Sequence, residues 1–154
     1  MTEALTEEIA AIVARHAARR GALLPVLHDV QAALGYVPDE AVPAIANGLN
    51  LSRAEVHGVI TFYHDFRRSA PARHVVKLCR AEACQARGGA AMEAAAARRL
   101  GVAMGGTRAD GQVALEAVYC LGLCAIGPSA LVDGTPMARL DAAGLEAIAR
   151  RVGA

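Results

Sequence analysis

Four cysteines are the residues best suited to chemistry in this chain of 154 residues. Cys79 and Cys84 form a C-x4-C pair, a gap of 35 residues follows, and Cys120 and Cys124 form a C-x3-C pair. A [2Fe–2S] cluster needs four thiolates, two on each iron, and two cysteine pairs on neighbouring loops can supply them. The pattern therefore favours one [2Fe–2S] cluster with these four cysteines as its ligands.

The residues around the cysteines suit a negatively charged cluster. With ferric irons and four thiolates, such a cluster carries about two negative charges, which require amide donors and cations nearby. Arg80, between the first two cysteines, and Arg87, three residues after Cys84, are near the first pair. Gly122 and Gly127 allow the backbone to come close to the second pair. The loop 121–127 is otherwise apolar, so we expect it to keep water away from the sulfurs.

Other kinds of cysteine site remain open on spacing alone. Structural zinc also takes four thiolates, and the chain would then be a zinc-stapled interaction module without a redox role. A C-x3-C pair in an apolar, glycine-containing loop is unusual for a zinc knuckle, which favours iron–sulfur. Two disulfides would be typical of an oxidising compartment. A thioredoxin-type dithiol needs C-x-x-C, and the sequence contains none.

Composition argues against several other functions. A net charge of +1, with three Tyr, two Phe and no Trp, provides neither a basic surface nor a stacking platform for nucleic acid. No apolar run approaches the roughly 20 residues that span a bilayer, so we expect no direct membrane insertion. The acidic N-terminal segment lacks the order of a signal peptide, which predicts a cytoplasmic protein. No residue grouping supports independent catalysis, and His57 and His64 are interpreted as packing or partner contacts.

Residues 1–70 are predicted to form a bundle of helices. Apolar residues recur at helical spacing around Ile12, with basic residues as far as Arg20 near the end of the first helix. Gly35 is the predicted stop of the second helix, and Ser52 with Glu55 forms the capping-box pattern of the fourth. The helices are predicted to begin after Thr2 or Thr6, then at Leu23, Pro38 and Ser52.

Residues 71–154 change to alternating strand and helix periodicity. The predicted order is a strand, a helix, a second strand, a hairpin turning at Asp133-Gly134, and a helix capped by Asp141. This order is typical of a thioredoxin-like α/β sandwich whose first two strands each end near a cysteine. The predicted fold class is therefore α+β with two domains: a helical bundle, then a thioredoxin-like α/β [2Fe–2S] ferredoxin domain.

Several segments resemble a known family. Residues 118–128, Val-Tyr-Cys-Leu-Gly-Leu-Cys-Ala-Ile-Gly-Pro, contain the second cysteine pair. Together with the C-x4-C pair and residues 24–38 and 56–63, they resemble the thioredoxin-like [2Fe–2S] subunit of NADH dehydrogenases, including complex I. Within that family, residues 51–58 and 79–85 look most like the γ subunit of the soluble NAD-dependent formate dehydrogenase. Complex I relatives usually carry Thr-x-x-Pro between the first two cysteines, and this chain departs from that pattern.

The resemblance implies an electron carrier inside a larger oxidoreductase. It implies a partner subunit that binds FMN and NAD, and a large molybdenum-containing subunit that oxidises formate. The equivalent subunit of complex I or of an NAD-linked hydrogenase is the nearest alternative. The resemblance assigns no cofactor to residues 1–70, which we therefore expect to dock onto a partner.

Overall fold

The computed structural model describes residues 3–154, with side chains from residue 5 onward. Backbone contacts divide the chain into two compact units, with the boundary between Pro71 and Ala72. None of the helices in the described part of the chain combines the length and apolar character that a membrane span requires.

The first unit consists of four α-helices. Gly35, in a left-handed conformation with φ 82°, ends the second helix. Ser52 and Glu55 form the capping box at the start of the fourth helix, and both predicted signals are thereby confirmed. A short 3-10 turn, Asp39–Ala41, precedes the third helix. The helices are α1 (Glu3–His16), α2 (Leu23–Leu34), α3 (Val42–Leu49) and α4 (Arg53–Phe62).

The apolar faces of these helices form one core. Gly48 of α3 lies so close to α1 that a Cβ there would overlap the side chain of Val13, so only glycine permits this approach. Burial of aliphatic side chains, each contributing about 1.5–3 kcal/mol, holds the helices together. Fully buried members of this core include Ile9, Val26, Leu27, Val30, Ile45 and Val56.

Two predicted boundaries in this unit were wrong. α1 ends at His16, so Arg19 and Arg20 lie beyond its last turn. The His16 ring lies 2.8 Å from the Asp29 carboxylate of α2, which fixes the end of α1 against its neighbour. His57 and His64, seven residues apart, were expected to lie near one face of the fourth helix. α4 ends at Phe62, however, so His64 follows the helix.

The second unit is a mixed sheet with helices. α6 (Gly89–Leu100) ends at Gly101. Asp141 caps α7 (Ala142–Arg151), as predicted, by accepting the Gly144 N–H at 2.8 Å. The strands are β1 (His74–Cys79), β2 (Gly106–Thr107), β3 (Val113–Val118), β4 (Ala130–Val132) and β5 (Thr135–Met137). The helices are α5 (Glu82–Ala86), α6 and α7 (Ala142–Arg151).

The sheet has the order β2-β3-β1-β4-β5. β1 and β3 are parallel, and Cys79 is paired with Val118, so both strands end at the same edge of the sheet. β4 is antiparallel to β1 and forms a hairpin with β5. The hairpin turns at Asp133 and Gly134, both with positive φ, as predicted from the Asp-Gly pair.

The two units together give the predicted α+β fold class, with the thioredoxin-like arrangement in residues 72–154. Three short elements were not predicted. They are α5, the two-residue β2, and a 3-10 turn over Cys124–Ile126. The core of this unit includes Val76, Leu100, Val113, Leu115, Val132 and Ile148.

Candidate metal centre

The sheet brings the two cysteine pairs to one edge. Cys79 is the last residue of β1, and Cys120 follows the end of its parallel neighbour β3 by two residues. The Arg80 N–H donates to the Val118 carbonyl at 2.8 Å, which continues the pairing beyond the strand. The register of two central strands therefore sets the positions of the first and third cysteines.

The other two cysteines lie on short helical turns. Cys84 is inside α5, where its N–H donates to the Ala81 carbonyl at 2.9 Å. Cys124 is the first residue of the 3-10 turn that ends at Ile126. The expectation that both cysteine pairs lie on neighbouring loops was therefore wrong for Cys84, which lies in a helix.

The sulfur atoms lie as two pairs. The Sγ atoms of Cys120 and Cys124 are 3.7 Å apart. A hydrogen bond from the Cys84 side chain is among the interactions that lower the pKa of Cys79. Two thiolates on one tetrahedral metal at about 2.3 Å would be about 3.8 Å apart. All four cysteines are free thiols. Within residues 3–154 no three His, Cys, Asp or Glu side chains are grouped to hold a single metal ion.

Backbone amides surround the first sulfur. Burial raises the pKa of the Cys79 thiol, but hydrogen bonds to its sulfur outweigh burial and lower the pKa below its ordinary value. Such donors stabilise a thiolate, the form that binds metal. The donors are the Cys84 side chain and the backbone amides of Ala81, Cys120 and Leu121.

The four thiols interact with one another. The pKa of Cys124 is raised, first because its side chain is hydrogen-bonded to Cys120 and second because charge on Cys120 disfavours another thiolate. Burial, and charge on Cys84 and Cys79, raise it further. Four thiolates here therefore need a compensating cation, which the irons of a bound cluster would provide.

The two pairs differ in exposure. Cys79 and Cys84 are 4% and 1% exposed, whereas Cys120 and Cys124 lie at the surface. Tyr119, the residue before Cys120, is 71% exposed. The expectation that the loop 121–127 shields the sulfurs was therefore wrong for the second pair. The chain encloses one side of the site and leaves the other side open.

Glycine and arginine residues shape the enclosed side. A Cβ at Gly127 would lie 3.1 Å from Sγ of Cys84, which is shorter than most contacts that Cβ atoms make in proteins. The Arg87 Nε donates to the Gly127 carbonyl at 3.1 Å, so this cation lies at the site. Arg80 instead pairs with Glu93 of α6 at 3.0 Å. On the open side, the Gly122 N–H donates to Sγ of Cys120 at 3.4 Å.

Sequence reasoning missed Ser129. This residue is 2% exposed, and its hydroxyl lies 3.5 Å from Sγ of Cys84. Its backbone carbonyl accepts the Cys79 N–H at 2.9 Å. Since Ser129 is 45 residues away from Cys84, no local pattern in the sequence indicates the contact.

The donor set fits a [2Fe–2S] cluster: two sulfur pairs, amide donors and a nearby guanidinium. The sequence model of the thioredoxin-like [2Fe-2S] ferredoxin family matches residues 9–153. This chain belongs to that family. Family membership assigns one [2Fe–2S] cluster as the cofactor and confirms the predicted resemblance to the thioredoxin-like [2Fe–2S] subunits of NADH dehydrogenases.

Similar proteins are subunits of oxidoreductases. An NADH-quinone oxidoreductase subunit of Pseudomonas aeruginosa is 36% identical over 114 residues, covering 74% of this chain and 69% of that protein. The NADP-reducing hydrogenase subunit HndA of Solidesulfovibrio fructosivorans is 26% identical over 132 residues, covering 86% of this chain and 77% of that protein.

A solved structure shares the fold. The NAD+-reducing [NiFe]-hydrogenase in the air-oxidized state matches with a TM-score of 0.72 and 27% identity. The match covers 85% of this chain but only 22% of that hydrogenase chain, so this ferredoxin-family chain corresponds to about a fifth of it. Together the relatives establish an electron-transfer [2Fe–2S] subunit of the NADH-type oxidoreductases.

Proposed function

We propose that the chain is the γ-type subunit of a cytoplasmic, NAD-dependent formate dehydrogenase. In this proposal it exchanges single electrons with the FMN of a partner subunit that also binds NAD, and a molybdenum-containing subunit oxidises formate. The resemblance of residues 51–58 and 79–85 to the γ subunit supports this choice. The absence of Thr-x-x-Pro between Cys79 and Cys84 also favours it over complex I.

The observation that best supports the electron-transfer role is the unequal exposure of the two cysteine pairs. When bound, a [2Fe–2S] cluster takes up or releases one electron at a time. Cys120 and Cys124 are exposed, and so is Tyr119, the residue before Cys120 in the sequence. A redox partner can therefore approach this side without any rearrangement of the buried pair.

In the proposed site, all four cysteines act as thiolate ligands, and the surrounding residues hold them in place. The amides of Ala81, Cys120 and Leu121 lower the pKa of Cys79 and so favour its thiolate. The amide of Gly122 donates to Sγ of Cys120 at 3.4 Å. Ser129 and Gly127 close the buried side around Cys84. These contacts hold the ligands before any metal binds, which reduces the free-energy cost of assembling the site.

We further propose that the flavin-bearing subunit docks on the helical unit. Gly58 lies within α4, where glycine costs about 1 kcal/mol relative to alanine, yet a Cβ there would meet nothing within 4 Å. One turn later, Phe62 is 72% exposed. Both residues line a groove of about 630 Å³ in this unit. The open space around Gly58 does not explain why this helical position is a glycine. A glycine beside an exposed aromatic side chain instead favours a surface that the backbone of a partner approaches closely.

The test is affinity purification of the tagged chain with its natural partners. We expect a complex that contains molybdenum and flavin, reduces NAD with formate, and loses its partners in high salt or detergent before it loses iron. A complex that contains nickel and is reduced by hydrogen would instead identify the hydrogenase alternative.

That alternative has its own support. The NADP-reducing hydrogenase subunit and the NAD+-reducing [NiFe]-hydrogenase are both similar to this chain. The similarity to the NADH-quinone oxidoreductase protein of Pseudomonas aeruginosa favours complex I in the same way. A quinone-reducing assembly without molybdenum or nickel would identify the complex I alternative.

A further inference from the structure

Ser129 connects the two buried cysteines. Its hydroxyl oxygen lies 3.5 Å from Sγ of Cys84, within hydrogen-bonding distance for sulfur. Its carbonyl accepts the Cys79 N–H. Among residues 3–154, Cys84 is the only hydrogen-bond partner of the hydroxyl. Ser129 is 2% exposed, and burying a hydroxyl costs free energy unless it has a hydrogen-bond partner. The sulfur of Cys84 is that partner.

The direction of this hydrogen bond follows from ligand chemistry. A free Cys84 thiol could donate or accept, but a thiolate bound to iron has no proton and can only accept. The Ser129 hydroxyl is then the donor. The proton stays on the serine oxygen, and no covalent bond forms or breaks.

We propose that the Ser129 hydroxyl raises the reduction potential of the cluster by donating a hydrogen bond to the Cys84 thiolate. This inference rests on the proposed role of Cys84 as a ligand. Ser129 acts through Cys84 and is a positioning residue, since it does not itself bind iron.

Charge and burial determine the sign of the effect. Reduction adds one negative charge, which spreads onto the ligand sulfurs, so a donor stabilises the reduced state more than the oxidised state. Cys84 and Ser129 are both almost fully buried, and the weak screening there strengthens the interaction. The exposed pair, Cys120 and Cys124, can be solvated by water, so the same donor would have less effect on that side.

The test compares three full-length proteins, purified anaerobically: wild type, Ser129→Ala and Ser129→Thr. Redox titrations followed by EPR give the midpoint potential of each. We expect Ser129→Ala to be about tenfold harder to reduce, equivalent to about 59 mV for a one-electron couple. Ser129→Thr keeps the hydroxyl and should restore most of the potential. In D2O, pulsed EPR should detect an exchangeable deuteron near the cluster in wild type that Ser129→Ala lacks.

The outcomes separate this proposal from the ligand assignment. An intact cluster with an unshifted potential in Ser129→Ala would overturn the role of Ser129 and leave the four ligands in place. Loss of the cluster from Ser129→Ala but not from Ser129→Thr would support a role for the hydroxyl beside Cys84. Loss of the cluster from both variants would overturn the proposed role of the hydroxyl. A wild-type protein without iron would refute the ligand assignment itself.

Discussion

The Sγ atoms of Cys120 and Cys124 lie 3.7 Å apart in an exposed loop, close to the separation of two thiolates on one tetrahedral metal. Cys120 reaches this position with φ 78°, a left-handed conformation that is unfavourable for a residue with a Cβ. Such strain is tolerated where the surrounding structure and function require it. The loop is therefore already arranged for a metal.

The ligand assignment predicts that the four cysteines act as a set. Replacing Cys79, Cys84, Cys120 or Cys124 with Ala should remove or severely destabilise the cluster, because an open coordination position exposes iron to water. The absorbance and EPR spectra of each variant measure this effect, with circular dichroism as the control for folding. Any single variant that keeps a full cluster with an unshifted spectrum would show that its cysteine is not a ligand.

A second prediction concerns the space at Gly127. The Gly127→Ala variant should hold less cluster, and its free energy of unfolding should fall by about 1–3 kcal/mol. The reason is that its Cβ would lie 3.1 Å from Sγ of Cys84. Its φ of −67° is ordinary, so backbone strain does not complicate the result. Iron content and urea denaturation are the measurements.

Gly58→Ala is the matched control for Gly127→Ala. Its Cβ meets open space on a helix, so we expect a full cluster and a gain of about 1 kcal/mol in stability. If Gly127→Ala and Gly58→Ala behaved alike, the close approach at Cys84 would not constrain the site.

Residue patterns predicted the large elements well but not the short ones. The Ser52 capping box, the stop at Gly35 and the Asp133-Gly134 turn depend on local backbone chemistry, which the sequence displays directly. α5 has only five residues, too few for a periodic pattern, so Cys84 was expected in a loop. The exposure of Cys120 depends on how the loop packs, which composition alone does not reveal.

The docking proposal predicts separable roles for the two units. A fragment of residues 72–154 should keep its cluster but lose stable association with the flavin-bearing subunit. Gly58→Arg in the full chain should weaken that association at least tenfold, because the long side chain fills the surface beside Phe62. Pull-down and calorimetry with the purified partner measure both effects.

Gly58→Ala should weaken the association less than Gly58→Arg does, because a single methyl group fills less of the surface that the partner backbone approaches. Full-strength binding by residues 72–154, or by Gly58→Arg with its cluster intact, would count against docking on α4.

The carrier role predicts that NADH does not reduce the isolated chain. NADH transfers two electrons as a hydride, whereas the cluster accepts one, so a flavin must mediate. In anaerobic titrations the lone chain should stay oxidised with NADH, become reduced when the flavin-bearing partner is added, and be fully reduced by dithionite. Bleaching by NADH in a preparation free of flavin would refute a pure carrier role.

The most direct test of the central claim is a metal and sulfide analysis of the anaerobically purified chain, combined with EPR after reduction. Four cysteines holding one [2Fe–2S] cluster predict a reddish-brown protein with about two irons and about two sulfides per chain. Reduction by dithionite should produce the EPR signal of a single [2Fe–2S] cluster. Stoichiometric zinc without iron or sulfide would contradict the account.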